Sequence, residues 1–218
     1  MLQIFILALV AAFLFWRLWS VLGTRTGNET EIKISNIKPL KKDKIKEYET
    51  TEKKSYDEDI ADYIELESES GEALKNMKFV EKNFSVGQFV SGAKGAYETI
   101  LMAFENGELS KLKKLLSNEV FISFEEVVLE REKKDLEVEA SFVGMREIRL
   151  KKASFDKEKN VAEIQMLFKC ELIVVVKNKE GKVIEGSLDK IKKQNDLWTF
   201  SRKMGTDNPN WELTKTGT

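Results

Sequence analysis

The side chains that could do chemistry are few. The chain contains no histidine, the residue most often used for proton transfer near neutral pH and for metal ligation. Its single cysteine, Cys170, has no second thiol with which to form a disulfide or a zinc site. Cys170 falls on the apolar side of an alternating segment, where a buried inert thiol is expected rather than a nucleophile without a base. Glu125, Glu126, Glu130 and Glu132 could be read as an acid/base or metal cluster, yet Arg131, Lys133 and Lys134 interleave with them. That pattern marks a solvated helical face. Gly92 and Gly95 lack the spacing and the following Lys-Ser/Thr of a phosphate loop, and as glycines inside a helical segment they suggest close approach by another element. The sequence therefore offers no catalytic, metal or cofactor-binding residue, and the expectation is a non-enzymatic protein.

The elements that would position any site must fit within 218 residues, enough for one ordinary domain and its appendages. Thirty-six basic and 37 acidic residues nearly cancel, which disfavours a nucleic-acid partner. Residues 1–22 read as a transmembrane anchor: from Leu2 through Phe13 to Leu22 the run is apolar apart from Gln3, Arg17 and Ser20. About 21 helical residues match the roughly 30 Å hydrocarbon core. Trp16 and Trp19 suit an aromatic belt, and the stem of Arg17 can snorkel to the interface. A cleaved signal peptide is the rival, but it calls for a basic start and a small-residue cleavage site after the apolar core. Basic residues such as Arg25, Lys33, Lys38, Lys41 and Lys42 follow the span, placing the remainder in the cytoplasm of a single-pass inner (cytoplasmic) membrane protein.

Residues 23–83 read as a charged, disordered linker, because apolar residues are sparse and keep no sustained period. A coil of about 60 residues would let the domain sample about 40 Å from the bilayer. The linker is basic from Lys38 to Lys46 and acidic from Asp57 to Glu72. Tyr56, Ile60, Tyr63, Ile64 and Leu66 interleave with those acids, and such a stretch can fold on a partner.

Residues 84–218 read as the folded domain. Ser85 and Gln88 form a capping-box signature ahead of a helix carrying Phe89, Val90, Ala93, Tyr97, Ile100, Leu101 and Phe104, and Gly107 stops it. A short helix with Leu109, Leu112, Leu115 and Leu116 follows, then a third, capped by Ser117, that runs past Val120, Phe121, Phe124, Val127 and Val128. After about Phe142 the period becomes two, with Ala162, Ile164, Met166, Phe168, Cys170, Leu172, Val174 and Val176 on one face. A strand this long should carry a bend or bulge. Turns at Lys159-Asn160 and Glu180-Gly181, then alternation through Trp198, Phe200, Trp211 and Leu213, complete an antiparallel meander. The expected class is α+β, with about three helices on one face of a curved antiparallel sheet.

The opening MLQIFILALVAAFLFWRLWSVLGTRTG, the helix FVSGAKGAYETILMAFENGELSKLKKLLS and the ending DLWTFSRKMGTDNPNWELTKT resemble the Tim44-like family, bacterial membrane-anchored relatives of the mitochondrial import-motor tether. The resemblance implies a cone-shaped domain of the nuclear-transport-factor-two-like (cystatin-like) type with a large apolar pocket. Mitochondrial members hold a chaperone and the incoming polypeptide at a translocase, through regions that include helical stretches upstream of this domain. The interval here has no heptad pattern, so the anchored pocket domain is what carries over.

Within that frame Met166, Phe168, Trp198 and Phe200 are the candidate pocket wall, although apolar alternation serves a filled core equally well. Two readings of function follow. One is an adaptor that brings a protein partner (a chaperone, a translocase or insertase component, or a client polypeptide) to the membrane during translocation or membrane-protein assembly. The other is a tethered pocket for membrane lipid or another apolar ligand. An enzyme on the same fold is a third, opposed by the missing histidine. The sequence leaves the oligomeric state open.

Overall fold

The computed structural model describes residues 57–217; the expected anchor at 1–22 and the linker residues 23–56 lie outside the described residues. The ordered body starts well before residue 84. A helical turn at 57–61 leads into helix α1 (Glu69–Val80), followed by α2 (Val86–Glu105), α3 (Leu109–Leu112) and α4 (Asn118–Lys133). The strands are β1 (Glu137–Asp156), β2 (Val161–Lys177), β3 (Val183–Gly186), β4 (Lys192–Lys203) and β5 (Glu212–Lys215). The helices-then-strands order and the antiparallel sheet agree with the expected α+β class.

The linker expectation for residues 57–83 is corrected. Ile60, Leu74 and Met77 are fully buried, and Tyr63, Ile64 and Leu66 pack against the same core. The partner on which these acid-flanked apolar residues fold is the domain itself. A composition argument fails here because a few well-placed apolar side chains suffice when a preformed sheet completes their burial. Ser68 caps α1 by accepting from Gly71 N, and the Ser70 hydroxyl accepts from the amide of Ala153 on β1, tying helix to sheet.

Helix α2 begins as its sequence indicates, with Ser85 Oγ accepting from Gln88 N. The stronger cap comes from further away: the Asp59 carboxylate accepts from Val86 N at 2.9 Å and Gly87 N at 3.1 Å. Two orphan amides at the positive end of a 20-residue helix thus meet a negative charge. Lys78 Nζ, 96% buried as a residue, donates to Asp59 Oδ2 at 2.5 Å and to Phe84 O at 3.0 Å. Gly107 at φ +68° stops the α2 segment in the left-handed conformation a side chain disfavours. Ser117 caps α4 through Val120 N. On α4 Val128 is buried, whereas Val127 points to solvent, against expectation.

The sheet runs β1-β2-β4-β5, with β3 on the end of β2 beyond β4. Ala162, Ile164, Met166, Phe168, Cys170 and Leu172 line one face of β2 without a break. The alternation then slips: Val175 is buried, and Val174 and Val176 are only half-buried. The bulges fall on the partner strand, where the register against β2 shifts between Phe142/Gly144, Met145/Glu147 and Leu150/Lys152. Each inserts a residue into β1, so its 20 residues span the 17 of β2 and bend the pair. On the solvent face, cross-strand ion pairs such as Lys169–Glu147 and Lys215–Glu163 replace the apolar rows. Asn160 (φ +54°) and Gly181 (φ +75°) make the flanking turns.

Candidate functional site

Helix α2 lies across the buried face of the sheet, and two hollows open along it. The larger, about 600 Å³, lies between the first turns of α2, the segment leading into it, the end of the leucine-rich turn and the β4–β5 connection. Its apolar lining is Phe84, Phe89, Ala93, Leu115, Phe200 and Trp211, rimmed by Asn83, Ser85, Gln88 and Asn210. Phe89 packs edge-on to both Phe200 and Trp211, with ring centroids 6.2 Å and 4.6 Å away, so an aromatic cluster forms the wall. A Cβ placed on Gly92 meets nothing within 4 Å, and the same holds for Gly95. The expected close approach of another element to these glycines is thereby corrected: Gly92 opens into the cleft and Gly95 faces solvent.

Arg202 lines this cleft although the residue is 92% buried. One guanidinium nitrogen donates to Glu81 Oε2 at 2.7 Å, and the group sits 5.3 Å from the Trp211 ring centroid. Its Nε–H has no acceptor among the described residues. A buried donor without a partner is uncommon in a folded protein.

The second hollow, about 230 Å³, lies at the other end of α2, between the apolar Leu101, Phe104, Phe124 and Trp198 and the polar Glu105, Gln194, Asp196 and Thr216. Tyr97, fully buried, donates to Asp196 Oδ2 at 2.5 Å and stacks on Phe168 with centroids 4.3 Å apart. Burial, then the bond to Asp196, pushes the Tyr97 hydroxyl far above its usual value, so it remains a neutral donor. Gln194 Nε2 donates to the same carboxylate oxygen at 2.9 Å. Cys170 Sγ lies 3.2 Å from the Tyr97 hydroxyl, and burial raises its thiol above the ordinary value despite an opposing pull from Tyr97. A protonated, 99% buried thiol is a core side chain.

The four residues expected as one pocket wall are brought to a single face but not to a single pocket. Phe200 borders the large cleft and Trp198 the small one; Met166 and Phe168, fully buried between them, line neither. The sequence points to the correct face because alternation reports burial, but it cannot tell filled core from open wall. Phe84, Phe89, Leu115, Trp211 and Arg202 were missed as one set because they come from four separated segments. Trp211 within NPNWEL was the nearest signal. On α4, Glu126, Glu130 and Glu132 face solvent and Glu125 is half-buried; Glu130 pairs with Lys134 at 2.5 Å. No group of three or more metal-ligating side chains occurs among the described residues.

A helical layer on a bent antiparallel sheet, with hollows along one helix, defines an α+β domain. The Tim44-like domain family matches residues 70–218, and the chain belongs to that family. The match starts inside α1, in accord with a folded body that includes that helix. Domains of this family occur in membrane-associated, translocation-related proteins. Among solved structures, the intermembrane-space region of the chloroplast protein ARC6 is similar at 8% identity, over 59% of this chain and 94% of that one, with a TM-score of 0.43. A de novo designed β-sheet protein is similar at 17% identity, over 61% and 88%, with a TM-score of 0.25. No curated protein matches the chain. No helix among the described residues is long and apolar enough to cross a membrane.

Proposed function

We propose that this protein is a membrane-anchored, non-enzymatic adaptor whose domain seats an apolar stretch of a polypeptide partner in the cleft along the start of α2. The observation that carries this reading is the cleft itself: about 600 Å³, open on one side, with an aromatic wall and an amide-bearing rim. An apolar side chain entering it loses water contact at roughly 25 cal/mol per Å² buried. Asn83, Gln88 and Asn210 on the rim can exchange hydrogen bonds with peptide groups. The anchor at residues 1–22 would hold this cleft at the inner membrane, facing the cytoplasm, where translocation and membrane-protein assembly present extended apolar segments.

The test is photo-crosslinking in cells, with the reactive group at Gln88 or Asn210 of the full-length protein. Capture of a chaperone, a translocase or insertase component, or a nascent polypeptide supports the adaptor if it is lost in Gly92→Leu, which fills the cleft, and when residues 1–22 give way to a soluble leader. Capture of lipid alone would sink this reading and leave the tethered lipid pocket as the account of the cleft.

A further inference from the structure

Five charged residues among those described are more than nine-tenths buried: Lys78, Glu105, Glu171, Asp196 and Arg202. Four of them have an opposite charge within an ion-pair distance. Lys78 meets Asp59, Glu105 meets Arg131 at 3.2 Å, Glu171 meets Arg146, and Arg202 meets Glu81. Asp196 is the exception. Its Oδ2 takes hydrogen bonds from two neutral donors, Tyr97 and Gln194, and no lysine or arginine among the described residues pairs with it. A buried anion without a counter-charge is costly, and the other four show that this fold otherwise supplies one.

Asp196 borders the 230 Å³ hollow, whose other walls include Trp198, Phe104, Phe124 and Glu105, the last already paired with Arg131. Aromatic faces attract cations through their quadrupoles, more strongly when water is excluded. The structure already uses one of these rings in that way: the Arg131 guanidinium lies 4.6 Å from the Phe104 centroid. The volume is below the roughly 300–1,000 Å³ of pockets for drug-sized ligands and suits one short side chain or a small amine.

We infer that this hollow is a cation site, in which an ammonium or guanidinium group on a short alkyl chain pairs with Asp196 between the rings of Trp198 and Phe124. The site is separate from the cleft at the start of α2 and stands whether or not that cleft holds a polypeptide. A lysine or arginine side chain of a protein and a free polyamine carry the same group.

Calorimetric titration of the full chain in a non-ionic detergent tests this, with n-butylguanidinium as the probe and n-pentanol as its neutral counterpart. Saturable millimolar binding of the cation and at least tenfold weaker binding of the alcohol are expected. Asp196→Asn keeps an acceptor for Tyr97 and Gln194 while removing the charge, and should weaken the cation tenfold or more without lowering the melting temperature. Should that variant fail to fold, Phe124→Leu serves, weakening the cation several-fold and leaving pentanol unchanged. N-acetyl-arginine methylamide against spermidine then separates a protein side chain from a polyamine by which binds more tightly. Absence of saturable binding, equal binding of pentanol, or undiminished binding to a folded Asp196→Asn would each overturn the proposal.

Discussion

Asp59 joins two parts of the domain at once. Its carboxylate accepts the first two amides of α2 and pairs with Lys78, whose residue is only 4% exposed. Asp59→Ala takes from that ammonium the carboxylate with which it pairs, and from α2 the acceptor for its first two amides. Breaking a buried pair from one side costs about 3–5 kcal/mol, and loss of a helix cap about 1 kcal/mol. Lys78 keeps its bond to the Phe84 carbonyl, and the expected total is about 3–4 kcal/mol. Urea unfolding of the full-length protein, followed by far-ultraviolet circular dichroism, reads this as a lower midpoint with an unchanged slope. The pairing makes a second demand. Lys78→Met removes the other half of the pair, so the cost of the double variant should fall short of the sum of the two single costs, with a coupling of about 1 kcal/mol or more. pH supplies an independent check. Burial opposes ionisation of Asp59, but Lys78 and the Val86 and Gly87 amides outweigh it and hold the carboxyl below its ordinary 3.8. A depressed folded value means that the stabilisation is present above 3.8 and is lost as pH falls through the lower, folded value. Asp59→Ala should therefore flatten the acid limb of stability. A loss below about 1 kcal/mol, or strict additivity in the double variant, would refute the claim that residues before α1 belong to the folded unit.

Gly71→Ala should destabilise by about 1–3 kcal/mol in the same urea assay, because an added Cβ would lie 2.4 Å from Glu65 O and 2.5 Å from Leu66 O, both backbone. Gly92→Leu should do the opposite, matching or exceeding the parent in stability by up to about 1 kcal/mol, since its side chain enters open space while a helical glycine is removed. Cys170 should resist thiol reagents at neutral pH in the folded protein and react on unfolding. Burial and a raised pKa both withhold the thiolate, so prompt modification of native protein would contradict its place in the core.

Family membership was legible in the motifs, and the fold class in periodicity. The slip from helical spacing to alternation near Phe142 marks the passage from α4 to the sheet, although β1 itself begins at Glu137. Ser85 and Ser117 announced two helices by the same local chemistry that caps them in the structure. These features are local: a cap, a stop glycine or an alternating strand is written in neighbouring residues.

Tertiary structure decided what depends on separated residues. Composition assigns the acid-rich stretch around Ile60 to a linker, since its own apolar surface cannot offset ordering, and only the presence of the sheet and of Lys78 makes it part of the core. Likewise, alternation placed Met166, Phe168, Trp198 and Phe200 on one face, but whether each meets packed rings or open space depends on where α2 and the β4–β5 connection come to rest. The lack of a counter-charge at Asp196 is of the same kind. In sequence Asp196 stands close to Lys192 and Lys193; strand alternation turns Lys193 to the opposite face, and Lys192, on the same face, lies four residues away at the exposed end of β4.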